Sequence, residues 1–379
     1  MTVTITPLTP VFAGEVAAID LRKVHDRSSL EAIRDGMDKY AVLVFRDQDF
    51  TNEEQLDFAQ RFDGTLHART SSSAIGSNRF GNEALADVSN VDRDGKIRDA
   101  SNRMRASSVA NRLWHTDASF VGPPGRYSML SARVVPPVRA DTEFADMRAA
   151  YDALDAETRA SIEGLRVYHS IVYSRHVLGF DFNADEQDKL KGAVHPLVRT
   201  IPGSGRRALY LASHAAHVVD WQVPEGRLLL RDLTDHATQP QFLYRHVWRP
   251  HDFVIWDNRC TMHRARPFDD QAHRREMRRT TTRRCRLRLR DFLETKSPHP
   301  EEPRAAWRLE GWATRKCLWP ILRDASLRDA PQDEVVGGCS DLTIPPSSER
   351  HSASASCRDA ASTICMVDAV SRWSARFKY

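Results

Sequence analysis

The sequence has little cysteine in its main part and no long apolar run. Of six cysteines only Cys260 precedes residue 281, so that part of the chain cannot form an internal disulfide. No stretch approaches the ~18 consecutive apolar residues of a membrane helix. The first ten residues have neither the basic start nor the apolar run of a signal peptide. We therefore expect a cytoplasmic protein with no membrane partner.

An excess of charge is also lacking in the main part. Of 55 basic and 51 acidic residues, 17 and 13 fall in residues 281–379, which leaves 38 of each sign before them. Nucleic-acid binding needs a basic face, so a neutral main part predicts no nucleic-acid partner. The basic run from Arg274 to Arg290 leaves DNA binding as an alternative. Binding to DNA that depends on salt concentration would support it.

Apolar patterns predict strands with helices inserted between them. Predicted strands lie at residues 41–45, 126–135, 141–144, 208–213, 253–256 and 277–281. Predicted helices lie at residues 28–39, 56–62 (after a capping box at Thr51 and Glu54), 146–154, 155–165 and 224–237. Residues 67–105 have the polar composition of a long mobile loop. The expected fold class is mainly β with helical insertions, and a jelly-roll barrel is compatible with it.

The last hundred or so residues differ from the rest. Residues 282–379 hold five of the six cysteines and four of the eight tryptophans, without any sustained period. We predict a catalytic domain over residues 1–281 and an irregular, disordered tail over residues 282–379. Our hypothesis is that the tail is a frameshift or read-through extension, and the alternative is a genuine disordered tail. A stop codon in another reading frame of the gene at this point would decide.

A His-x-Asp pattern at His115 and Asp117 is the first candidate for chemistry. Residues i and i+2 of an extended segment share a face, so this imidazole and this carboxylate can bind one ion. With His263 they would form the 2-His-1-carboxylate triad of non-haem Fe(II) oxygenases, which leaves metal positions open. Alone the pattern is weak, because a chain with 15 histidines is expected to contain a chance pair at its surface.

Two arginines follow on a predicted strand. Arg275 and Arg279 share a face, with Met277 between them. Guanidiniums that face a barrel interior need anions, which a dicarboxylate co-substrate and an anionic substrate would supply. The alternatives are a solvated basic run, or a shift of one residue that selects Arg274 and Arg278 instead.

Several blocks, in order, resemble the taurine dioxygenase and 2,4-dichlorophenoxyacetate dioxygenase family, most strongly its phenoxyacetate-degrading branch. They are AVLVFRDQ (41–48), LWHTDASF (113–120), YSMLSARVVPP (127–137), DTEFADMRAAYDAL (141–154), SRHVLGF (174–180), VPEGRLLLRDLTDHATQPQFLYRHVW (223–248) and WDNRCTMHRAR (256–266). The resemblance runs from about Pro7 to Thr281. It implies a double-stranded β-helix (jelly roll), with Fe(II) as cofactor and 2-oxoglutarate (alpha-ketoglutarate) and O2 as co-substrates.

The resemblance also implies roles for individual residues. The iron ligands of the family are matched by His115, Asp117 and His263. Thr142 and Arg275 match the residues that bind 2-oxoglutarate, and Arg279 matches the arginine that receives the acidic group of the substrate. Further candidates on the substrate side are Asn111, His214 and His217, for which a structural role in a turn or at the surface is the alternative.

The implied reaction hydroxylates the carbon next to the ether oxygen of an aryloxyalkanoic acid such as 2,4-dichlorophenoxyacetate. It yields a phenol and glyoxylate, with succinate and CO2 from 2-oxoglutarate. One alternative is the same chemistry on a sulfonate, an alkyl sulfate or another carboxylate. Another is an inactive jelly-roll binding protein from a decayed gene. The sequence leaves the oligomeric state open, a homo-oligomer included.

Overall fold

The computed structural model describes residues 3–17, 19–68 and 79–283. Apart from Thr282 and Arg283, the predicted tail lies outside the described residues, and so does the part of the predicted loop at 69–78. Within the described ranges, no helix has both the length and the apolar character needed to cross a membrane.

Strands and short helices alternate along the chain. The strands are β1 (Ile5–Pro7), β2 (Gly14–Val16), β3 (Val42–Phe45), β4 (Leu85–Asp87), β5 (Gly125–Val134), β6 (Thr142–Asp146), β7 (Arg166–His169), β8 (Ala193–Pro196), β9 (Val198–Thr200), β10 (Arg207–Leu209), β11 (Ala215–Val218), β12 (Leu243–His246), β13 (Phe253–Asp257), β14 (Thr261–Ala265) and β15 (Glu276–Arg283). The helices are α1 (Arg27–Tyr40), α2 (Asn52–Asp63), α3 (Arg103–Ser108), α4 (Met147–Asp152), α5 (Ala156–Ser161), α6 (Ile171–His176), α7 (Ala184–Asp188) and α8 (Val223–Ala237).

Two of the sheets position the site. The larger has seven strands in the order β1-β2-β3-β13-β5-β15-β4, and a three-stranded sheet has the order β12-β6-β14. Two smaller sheets, β11-β7-β8 and β10-β9, lie among the remaining described strands. Among the described strand pairs, all are antiparallel except β2 with β3. Neighbours such as β5 and β13 are far apart in sequence, so the sheet forms only when distant segments pair.

Both faces of the large sheet are covered, which explains why β3 is apolar at every position. On one face, α1 and α2 bury a cluster that includes Met37 and Phe58. On the other face, Val44, Trp256 and other apolar side chains pack against the β12-β6-β14 sheet through Phe144. The rings of Phe144 and Trp256 lie 5.5 Å apart. The space between these two sheets is where the candidate site residues converge.

Most of the predicted elements are confirmed. Helix α1 begins after Asp26, whose carboxylate accepts from the amide of Ser29 at 2.8 Å, and it ends at Ala41 in the left-handed region, with φ +59°. Helix α2 has the predicted capping box between Thr51 and Glu54. The predicted strands around β3, β5, β6, β13 and β15 are present, with ends that differ by no more than two residues.

Some predicted boundaries are wrong. The predicted loop at 67–105 contains β4, which pairs with β15, and the start of helix α3. These elements are too short to show a period, and β4 depends on a partner nearly two hundred positions away. The predicted helix at 155–165 stops at Ser161, before Gly164 turns the chain at φ +76°. The predicted strand at 208–213 ends at Leu209.

Candidate active site

Backbone pairing brings His115 beside His263. Each residue's amide donates to the other's carbonyl, at 3.0 and 2.9 Å, in an isolated antiparallel bridge at the edge of β14. The two imidazole rings are therefore only 4.1 Å apart. Asp117 follows two residues after His115, and its amide donates to Asn258 Oδ1 at 3.1 Å. All three candidate ligands are buried.

The three side chains form a site of the right size for one metal ion. Their ligand atoms all lie within 4.8 Å of one another. His115 Nε2 is 3.9 Å from Asp117 Oδ1, and His263 Nε2 is 3.6 Å from Asp117 Oδ2. His115 Nδ1 lies 2.8 Å from the Leu113 carbonyl, which can only accept, so Nδ1 carries the proton. The lone pair of His115 Nε2 therefore faces the carboxylate and is free to bind a metal.

The protonation states also suit metal binding. Burial lowers the pKa of His115 and places the pKa of His263 well below its usual value, so both imidazoles are neutral. Burial by itself would raise the pKa of Asp117. The charge of the Arg279 guanidinium and the hydrogen bond from Ser128 act in the other direction, and the pKa is lowered. Two neutral imidazoles and one carboxylate are the donor set of a facial-triad Fe(II) site.

A short hydrogen-bond relay orients Asp117. Ser128 Oγ donates to Asp117 Oδ2 at 2.8 Å, and Asn258 Nδ2 donates to Ser128 Oγ at 2.9 Å. Trp256 Nε1 in turn donates to Asn258 Oδ1 at 3.1 Å. Sequence reasoning missed Ser128 and Asn258 as site residues. Both lie inside blocks already singled out, but nothing in the residue pattern distinguishes them from packing positions.

A cavity adjoins the triad on the side of Thr142 and Arg275. Thr142 Oγ1 accepts a hydrogen bond from Trp248 Nε1 at 3.0 Å, so its own proton is free to be donated. Arg275 is buried, and burial lowers its pKa to about 10. No carboxylate of the described residues pairs with its guanidinium, so this cation is suited to an anionic ligand.

Strand β15 and the residue before it, Arg275, present arginines to two different sides. Arg275 and Arg279 line the cavity, and Met277 between them packs into the apolar cluster under it. Arg278 faces the other way and pairs with Glu276 at 2.9 Å, so it does not line the cavity. Arg279 forms an ion pair with Asp117. The alternative register, with Arg274 and Arg278 inside, is not the one that the structure has.

Comparisons with known proteins decide the family. Residues 4–281 match the model of the "Taurine catabolism dioxygenase TauD, TfdA family". The chain belongs to this family. The resemblance predicted from the sequence is thereby confirmed, and the chain is a dioxygenase.

Similar proteins cover about three quarters of this dioxygenase. It is 46% identical to the alpha-ketoglutarate-dependent 2,4-dichlorophenoxyacetate dioxygenase of Cupriavidus pinatubonensis (strain JMP 134 / LMG 1197), over 74% of this chain and 98% of that protein. It is 36% identical to the (S)-phenoxypropionate/alpha-ketoglutarate-dioxygenase of Sphingobium herbicidovorans, over 70% of this chain and 90% of that protein. A crystal structure of AAD-2 in complex with Mn(II) and N-oxalylglycine is 48% identical, with a TM-score of 0.72, and covers 75% of this chain and 99% of that one.

The remaining predicted residues of the dioxygenase divide into two groups. Asn111 lines both the main cavity and a smaller adjoining one. His214 lines the smaller cavity, with its ring 6.2 Å from that of His115. His217 is not brought to the site. It lies on β11 and lines neither cavity. Its ring centroid is 5.2 Å from that of Tyr168, and it is half-buried between the buried residues Ala216 and Val218.

Sequence reasoning also missed Arg175 of the dioxygenase. This residue lies in α6 and lines both cavities. The sequence places it in the block SRHVLGF between a serine and a histidine, where an arginine is ordinarily exposed. Only the three-dimensional structure shows that it is buried.

Proposed function

We propose that this dioxygenase uses Fe(II), 2-oxoglutarate and O2 to hydroxylate the carbon next to the ether oxygen of an aryloxyalkanoic acid such as 2,4-dichlorophenoxyacetate. The observation that carries the proposal is the buried triad of His115, Asp117 and His263 beside a cavity that contains the unpaired cation of Arg275. The names of the similar proteins support the substrate class. We also propose that the two packed sheets around the triad form a double-stranded β-helix.

The chain's own residues would hold the metal. His115 and His263 would bind it through Nε2, and Asp117 through a carboxylate oxygen. When bound, Fe(II) supplies the O2 chemistry that converts 2-oxoglutarate to succinate and CO2 and oxidises a C–H bond of the substrate. The relay from Asn258 through Ser128 keeps the carboxylate of Asp117 in position, so the triad is organised before the metal enters.

Arg275 and Thr142 suit the far carboxylate of 2-oxoglutarate. A buried guanidinium without a carboxylate partner gains a bidentate, charge-assisted pair when a dicarboxylate binds. The hydroxyl of Thr142 already accepts from Trp248, so it donates to the incoming carboxylate. Both side chains line the cavity that adjoins His115 and His263, which leaves the 2-oxo acid end of the ligand directed towards the triad.

Arg279 suits the acidic group of the substrate. It lines the same cavity and already contacts a triad residue, Asp117. In an aryloxyacetate, the carbon to be hydroxylated lies directly between the carboxylate and the ether oxygen. A carboxylate held by Arg279 therefore brings that carbon towards the triad. The hydroxylated carbon is a hemiacetal, which collapses to a phenol and glyoxylate.

The test is a coupled assay of products. Protein loaded anaerobically with Fe(II) and 2-oxoglutarate is exposed to O2 with a panel of aryloxyacetates, sulfonates and alkyl sulfates, and succinate and phenol are measured. Equal amounts of phenol and succinate with an aryloxyacetate support the proposal. Succinate that depends on a sulfonate or alkyl sulfate would move the substrate to that class. Absence of succinate with every compound would favour an inactive binding protein. The Asp117→Asn variant measures the background of succinate and phenol formed without an intact metal site.

A further inference from the structure

Four arginines are buried among the described residues, and they differ in how their charge is neutralised. They are Arg148, Arg175, Arg275 and Arg278. Arg148 pairs with Asp146 at 2.9 Å, and Arg278 pairs with Glu276 at the same distance. Arg175 and Arg275 pair with no carboxylate of the described residues. Because Arg275 has this pattern at the place proposed for 2-oxoglutarate, Arg175 requires an explanation of the same kind.

The surroundings of Arg175 leave its charge uncompensated. The residue is 4% exposed. Its guanidinium makes one side-chain hydrogen bond, from Nη1 to the neutral Ser174 Oγ at 3.1 Å, and its buried Nε has no partner. Burial lowers its pKa to about 10, as it does for Arg275, and no carboxylate acts in the other direction. A guanidinium with that pKa is still protonated at neutral pH, so a full positive charge is buried without a counter-ion among the described residues.

The position of Arg175 indicates which anion would neutralise it. The residues that line both the main cavity and the smaller one are Asn111, His115, Arg175 and Arg279. Arg175 therefore borders the space next to the proposed metal ligand His115. Arg279, in the same lining, is already paired with Asp117. Arg175 is thus the cation of this shared lining that pairs with no carboxylate in the part of the chain that the structure describes.

We propose that Arg175 binds the acidic group of the substrate together with Arg279, and so makes the enzyme selective for anionic substrates. This inference rests on the proposed function and adds a residue to the substrate site. Two guanidiniums around one acid group give a charge-assisted contact on each side of it, which a single arginine cannot provide. The unpaired charge in the free protein lowers its stability and is neutralised only when the anion enters.

The first experiment compares an acid with its uncharged analogue. Binding of 2,4-dichlorophenoxyacetate and of its amide is measured by calorimetry, with enzyme that holds Mn(II) and 2-oxoglutarate and cannot turn over without O2. Arg175→Gln is expected to weaken binding of the acid by about 10- to 100-fold, the usual effect of losing a charged hydrogen-bond partner. Binding of the amide and of 2-oxoglutarate is expected to stay within about threefold, and Arg175→Lys to recover part of the loss.

A stability readout separates this role from a structural one. Without substrate, Arg175→Gln is expected to melt at the wild-type temperature or above it, because the variant buries no unpaired cation. The rise in melting temperature on adding the acid should be smaller in the variant. His176→Gln is the matched control, since His176 follows Arg175 in the same helix with a side chain that is 72% exposed. Equal weakening of acid and amide, or unchanged binding of the acid, would overturn the proposal.

The role of Arg175 can still be tested if the proposed substrate class is wrong. If the wild type converts a sulfonate or alkyl sulfate rather than an aryloxyacetate, the proposed substrate is wrong. The same comparison is then made with that anion, and its selective loss in Arg175→Gln supports the role of Arg175. If no anion of the panel raises the melting temperature of the metal-loaded wild type, both proposals are overturned.

Discussion

Ser128 is a single hydroxyl on which the geometry of the proposed metal ligand Asp117 depends. Its Oγ donates a hydrogen bond to Asp117 Oδ2 and accepts one from Asn258 Nδ2. Ser128→Ala should lower metal affinity or turnover by roughly 10- to 100-fold, the usual effect of removing a group that orients a metal ligand. Titration with Fe(II) measures the metal affinity, and succinate assays measure turnover. Ser131→Ala on the same strand is the control, because the buried Ser131 Oγ has no hydrogen-bond partner among the described residues and its loss should change neither quantity.

Arg275 and Arg279 should produce opposite kinetic phenotypes, although they line the same cavity. Arg275→Gln is expected to raise KM for 2-oxoglutarate by roughly 10- to 100-fold and to leave KM for the aryloxyacetate nearly unchanged. Arg279→Gln should raise KM for the aryloxyacetate and leave KM for 2-oxoglutarate nearly unchanged. Each variant is the control for the other in steady-state assays with both substrates varied. A rise in the same KM for both variants would show that the two guanidiniums do not bind separate anions.

His195 should make the fold sensitive to acid. Burial and then the charge of Arg199 lower its pKa to about 4, while an unfolded histidine titrates near 6.5. Protons therefore bind the unfolded chain first, and stability present above pH 6.5 is lost as the pH falls towards 4.

His195→Gln keeps a donor for the Ser119 carbonyl, which His195 Nε2 contacts at 2.7 Å, but cannot titrate. Denaturant unfolding at several pH values gives the free energy of unfolding as a function of pH. The slope for His195→Gln should be shallower than that of the wild type by up to about 1.4 kcal/mol per pH unit, the value for one proton. The exposed His25→Gln is the control. If His195→Gln loses stability as steeply as the wild type, His195 is not the group responsible.

At the scale of elements, the start of strand β5 is packed against the turn that carries Asp117. A Cβ on Gly125 would lie 2.9 Å from the Asp117 carbonyl and 3.0 Å from Thr281 Cγ2. Gly125→Ala should therefore move the Asp117 turn, with a cost in stability of about 1–3 kcal/mol and weaker metal binding. Gly122→Ala is the control, because nothing lies within 4 Å of its Cβ. Denaturant unfolding and Fe(II) titration distinguish the two variants.

What the sequence could predict follows from how local each signal is. Helix α2 was predictable because its capping box and apolar spacing lie within one segment. Strand β4 was missed because three residues show no period, and its stability comes from pairing with β15. Arg175 and Ser128 were missed for a related reason. Neither residue type nor spacing indicates burial, which arises when distant segments pack together.

At the scale of the whole molecule, the match to known proteins ends close to where the composition changes. The family model matches residues 4–281, and 98% of the 2,4-dichlorophenoxyacetate dioxygenase of Cupriavidus pinatubonensis aligns with 74% of this chain. Strand β15 begins directly after Arg275, contains Arg279 and pairs with β5 until Arg283. We therefore propose that residues 1–281 form the catalytic domain and that the chain beyond contributes no residue to the site.

Truncation tests this division. A chain that ends after Arg283 keeps the whole of β15, so it should unfold cooperatively and convert the same substrate with kcat and KM within about threefold of the full chain. A chain that ends after Glu276 is the control. It lacks Met277 in the core and Arg279 in the site, so it should lose both stability and turnover. If the chain that ends after Arg283 also loses turnover while the full chain is active, residues 284–379 take part in folding or catalysis. The hypothesis of a frameshift or read-through extension would then be wrong.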